Sequence, residues 1–111
     1  MPTKPRTYSR LSREALLLLG EQIRLARKQR RMSEHDLAAR VGIARSTLQR
    51  IEKGDPAVEI GLVFEAATLT GVGLFVPEAT TLTPQIGRID DRLALMPSSI
   101  RRTRREIDGD F

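Results

Sequence analysis

Apolar residues recur at Leu11, Ala15, Leu18, Leu19, Ile23 and Ala26, an i, i+4, i+7, i+8 stripe. This spacing predicts an amphipathic helix with that stripe as its core face, capped by Ser9 or Ser12 and running to about Arg31. Arg27, Lys28, Arg30 and Arg31 fill its last turn, where positive charge complements the helix dipole. Ser33 then offers an N-cap oxygen before a second apolar set, Leu37, Ala38 and Val41. Gly42 can close that helix in the left-handed conformation, with Ile43 as a buried turn residue. A third helix starts near Ala44 or Arg45, buries Leu48 and Ile51, and stops at Gly54. A fourth spans about residues 60–70, burying Leu62 or Val63, Ala66, Ala67 and Leu69 before Gly71.

The pattern then changes. Residues 72–76, Val-Gly-Leu-Phe-Val, form a short β-favouring run closed by Pro77. After a Thr- and Pro-rich loop, Ile86, Ile89, Leu93 and Met96 repeat at 3, 4, 3 spacing, a narrow seam on a helix of about residues 84–96. This seam is read first as packing within its own domain and second as a partner-binding surface. Pro97 breaks the helix, and Ser98 could cap a short basic helix through Arg105 before the acidic end EIDGDF. The expected organisation is therefore a flexible arm over residues 1–9, a helical domain over 10–77 and an extension over 78–111. The fold class is all-α, a bundle of four to five helices with one short β-strand and a C-terminal helical extension.

Composition narrows the chemistry. The 111 residues contain no Cys and one His, His35, so disulfides, thiolate sites and zinc or His-based triads have little to be built from. His35 reads as a solvated surface residue. No Gly-rich phosphate loop, HExxH or nucleophile elbow occurs, and no enzyme, metal or cofactor is expected. The longest apolar run, residues 15–19, is too short to span a bilayer, and no signal-peptide pattern opens the chain. A soluble, cytoplasmic protein is the simplest reading. The net charge is +5, but its distribution says more. Residues 1–31 hold nine basic and two acidic residues, whereas residues 55–96 hold two basic and six acidic ones. Such segregation fits a polyanion approaching one side.

Two short helices joined by a Gly-containing turn form a helix-turn-helix, the second helix of which enters the major groove of DNA. In this chain, Arg45, Ser46, Gln49 and Arg50 face outward at the front of that helix, all able to hydrogen-bond base edges. The run SxxxLAxxVGIxRSTLxRIEKG resembles the λ-repressor-like, XRE-type helix-turn-helix family over about residues 17–75. Its neighbour GDPAVEIGLVFEAATLTGVGLF and the acidic, aromatic-ended tail look like HipB-like antitoxins, encoded beside HipA-like kinase toxins.

The resemblance implies base contacts at Arg45, Ser46 and Arg50, and phosphate or flanking contacts at Thr47, Gln49 and Lys53. It places Ser33 and Glu34 at the start of the second helix, near phosphate, and Ala44 where the family often has a capping Ser or Thr. Glu34 departs from the family, which usually has Gln there to meet a phosphate. The resemblance also implies an ion pair between Arg27 and Glu52. The expected function is a sequence-specific transcriptional regulator, a homodimer on a palindromic operator in double-stranded DNA, serving as antitoxin and autorepressor with a HipA-like toxin as partner. Alternatives are a stand-alone XRE repressor and an adaptor that no longer reads DNA. Val72, Leu74, Phe75 and Val76 are the expected dimer contacts, since a lone strand must find a second edge.

Overall fold

The computed structural model describes residues 6–98, and within them the chain forms five helices. They are α1 (Arg10–Gln29), α2 (Glu34–Val41), α3 (Arg45–Glu52), α4 (Ile60–Leu69) and α5 (Thr83–Ala94). Two compact units divide the chain after Ala79. The first holds α1 to α4, where α3 packs on α1 and α2, and α4 packs on the same two helices. Its core is aliphatic: Ile23, Leu37, Leu48 and Ile51 at the centre, with Val63, Ala66 and Ala67 from α4 and Ala38 from α2. Each large side chain taken from water here contributes about 1.5–3 kcal/mol. Thr70, buried at the end of α4, donates its hydroxyl to the carbonyls of Ala66 and Ala67.

Local signals set the helix ends. Ser9 caps α1, its Oγ accepting from the Ser12 N–H. Ser33 and Asp36 form a reciprocal capping box on α2: each side chain accepts the other residue's N–H at 3.0 Å. Gly42 closes α2 at φ 86°, a left-handed conformation that costs an L side chain energy and glycine none.

Three expectations fail. The stripe of Leu11, Ala15 and Leu18 is not core: all three are exposed, Leu11 by 75% and Leu18 by 58%. The buried face of α1 instead runs through Leu19, Gly20, Ile23 and Arg27. At about 100° per residue, Leu18 and Arg27 lie on opposite sides of the helix. Gly20 explains the choice of face. A Cβ built there would stand 2.5 Å from the Ile51 carbonyl oxygen and 2.8 Å from that of Glu52, so α1 crosses the end of α3 backbone against backbone.

Nor is there a β-strand among the described residues. Residues 72–76 bend instead: the Val76 N–H donates to the Leu74 carbonyl at 2.7 Å, a γ-turn about Phe75 at φ 66°. Val72 and Leu74 pack against the core, and no second strand is at hand to pair with the run. β propensity without a partner edge does not make a strand.

The second unit contains α5, with Pro84 in its first turn and the Thr81 hydroxyl accepting from the Thr83 N–H. None of its residues is buried. Ile86, Ile89, Leu93 and Met96 are all more than half exposed, so the reading of this seam as core is not met. The basic helix expected after Pro97, the acidic end and residues 1–5 of the arm lie outside the described residues.

Candidate nucleic-acid interface

The site is built on a rigid elbow. The Gly42 and Ile43 N–H groups both donate to the Ala38 carbonyl, at 2.9 and 3.0 Å, turning the chain sharply from α2 into α3. Ile43 fills the inside of the turn against the core. Leu48 and Ile51 then pin one side of α3 to that core, with Glu52 beside them.

Their burial leaves Arg45, Ser46, Gln49, Arg50 and Lys53 on the outer side, spaced i, i+1, i+4, i+5 and i+8. Arg45, Ser46, Arg50 and Lys53 are exposed, while Gln49 and Thr47 are half-buried. Ala44 is the N-cap of α3 and supplies no side-chain cap, although its extended backbone suits one. Ser33 and Glu34 open α2 beside the first turn of α3.

Behind α3 lies a closed ion pair. Arg27 and Glu52 are 5% and 6% exposed and meet bidentately, Nε to Oε2 at 2.7 Å and Nη2 to Oε1 at 3.0 Å. Arg27 Nη1 also donates to the Met32 carbonyl at 3.0 Å. One side chain thus ties α1, the loop before α2, and the end of α3. The hydrogen bond to Glu52 raises the Arg27 pKa, so the guanidinium keeps its charge despite burial.

Two more contacts lie at the front. Glu34 Oε1 accepts from both Arg45 Nε and Gln49 Nε2, each at 3.0 Å. Asp55 Oδ2 accepts from Arg50 Nε at 2.7 Å, and its Oδ1 accepts the Ala57 N–H at 2.8 Å. Glu34 is held below the usual carboxylate range chiefly by the Gln49 hydrogen bond, and Asp55 chiefly by that from Arg50. Both stay charged at neutral pH.

Sequence reasoning missed Asp55 as a partner for Arg50. The signal was available: an acid one residue past the helix-ending Gly54 comes back within reach of the last turn. It also missed a groove of about 520 Å³ beside the end of α3, where Arg6 and Arg13 stand with Lys53. Arg6 lies over the Tyr8 ring, 5.8 Å from its centroid. Only the net charge of residues 1–31 hinted at that cluster.

The residues expected at a dimer contact are not equivalent. Val72 and Leu74 are partly buried on the chain's own core, and Val76 is half-buried. Phe75 is 83% exposed and touches the Phe64 ring edge-on, with centroids 6.1 Å apart.

No helix among the described residues is long and apolar enough to cross a membrane. Comparison of the chain with curated proteins and with solved structures gave no significant match. Residues 23–76, from the second half of α1 to the loop after α4, match the family model described as Helix-turn-helix. The match covers just under half of the chain, and the succession of α2, a turn at Gly42 and α3 within it agrees with that description.

Proposed function

We propose that the protein is a sequence-specific DNA-binding transcriptional regulator that reads its operator with α3. The carrying observation is the outer face of α3: Arg45, Ser46, Gln49, Arg50 and Lys53 line one side of a helix whose other side is locked into the core. Arg45, Ser46 and Arg50 contact bases, while Thr47, Gln49, Lys53, Ser33 and the N-terminus of α2 set the register on phosphates. One such headpiece spans too few base pairs to be selective, so two copies bind a palindrome, with Phe75 at their contact.

The biological setting is a HipBA-like operon in which the chain represses its own promoter and holds a HipA-like kinase toxin. The sequence resemblance over residues 54–75 supports this setting. Binding to the DNA upstream of its own gene, in the presence of excess unlabelled non-specific duplex, tests the regulator. Absence of a selective complex would contradict it. Co-purification with the product of the adjacent gene tests the antitoxin role separately. A regulator that binds its promoter and leaves that product behind is a stand-alone repressor.

A further inference from the structure

The two outward arginines of α3 are gripped at the same atom. Arg45 gives its Nε–H to Glu34, and Arg50 gives its Nε–H to Asp55. Neither acid belongs to α3: one opens α2, the other follows the turn at Gly54. Each carboxylate is itself anchored by a second donor, Gln49 Nε2 on Glu34 and the Ala57 N–H on Asp55. An exposed pair between two free side chains holds little, but a carboxylate that a further donor holds in place directs the arginine bound to it. Arginine carries five N–H donors in a planar fork. With Nε engaged, the two terminal nitrogens remain, enough for a bidentate contact with guanine O6 and N7.

We propose that Glu34 and Asp55 are positioning residues that determine specificity, holding Arg45 and Arg50 by Nε so that their terminal nitrogens meet a base. This inference rests on the DNA-reading function proposed above. A carboxylate in this place acts in opposite directions on two kinds of DNA. Its charge repels phosphate and weakens binding to any duplex. Its grip on the arginine removes rotational freedom that a base contact would otherwise have to remove, and so favours the correct base pair over others. A residue needed only for folding would weaken both kinds of binding together.

The test uses the full chain and a duplex that the wild type recovers from a randomised library, with all its single-base-pair variants. Glu34→Ala should lose about tenfold in discrimination at one base pair, the size of a mid-range coupling between contacting groups, while its non-specific affinity rises. Glu34→Gln, neutral but still an acceptor, should show the same rise and recover most of the discrimination. In an Arg45→Ala background, Glu34→Ala should change discrimination no further. Asp55→Ala should act likewise at a different base pair, through Arg50. Discrimination unchanged in both alanine variants, with a selective wild type, overturns this proposal alone. A wild type that recovers no duplex overturns the DNA-reading function and this proposal with it.

Discussion

Arg27 and Glu52 place opposite charges where water scarcely reaches, and their geometry decides what each is worth. Bidentate contact and the extra bond to Met32 offset the cost of desolvation. Removing one partner strands the other. Glu52→Ala should therefore cost about 3–5 kcal/mol in urea unfolding, and Arg27→Met with Glu52→Leu should recover much of it. A single-variant loss below about 1 kcal/mol would mean the pair is not closed. Hydrophobic periodicity could not have found Arg27, a charged residue on the core side of α1; only the family pattern pointed to it. The acids nearer the surface make a separate prediction. Glu34, Asp36 and Asp55 all have depressed pKa values: Glu34 chiefly through Gln49, Asp36 through the backbone of Ser33, and Asp55 through Arg50. A depressed carboxylate lends stability that is complete above its unfolded-state pKa, near 4, and is lost as pH falls through the folded value. The urea midpoint should thus hold from neutrality to about pH 5 and fall below about pH 4. Asp36→Asn should lower the neutral plateau and reduce the acid-side slope; an unchanged slope would remove the capping box from the account.

Three of the four boundaries of α2 and α3 follow from a residue acting within its own turn. Ser33 with Asp36 starts α2, Gly42 ends it, and Gly54 follows α3, so this region was legible without a structure. The face of α1 was not. Residues 15–19 are apolar all round the helix, so periodicity alone could not tell its inner side from its outer. What fixes that side is Gly20, whose missing side chain lets α1 lie against the Ile51 and Glu52 carbonyls. Gly20→Ala should destabilise the domain by about 1–3 kcal/mol despite alanine's better helix propensity, because the added methyl meets backbone that cannot yield. A more stable Gly20→Ala variant would show that α1 and α3 do not approach so closely. The β-favouring run at residues 72–76 misled for a related reason. Strand formation is decided by a neighbouring edge, which is a property of the surroundings and not of the run.

At the scale of the molecule, the basic N-terminal third and the acidic segment after Gly54 segregate charge along the sequence, as suits the proposed binding to a polyanion. The proposed two-fold assembly places a contact between copies at Phe75, an aromatic exposed among the described residues. Leu74 packs partly on the core, so a charge there would destabilise the domain as well as any contact. Phe75→Asp alone should give folded monomers in analytical ultracentrifugation, with a melting temperature lowered only by the lost dimer contact and the lost Phe64 edge. A dimer that survives this change would place the contact elsewhere. The account as a whole stands on α3 reading bases, and one measurement addresses that most directly: a base-pair scan of the selected duplex with wild type and Arg45→Ala at several salt concentrations. The wild type should lose about 1–3 kcal/mol at a base pair where Arg45→Ala loses almost nothing, both keeping similar salt slopes. Equal discrimination by the two proteins at every base pair would contradict it.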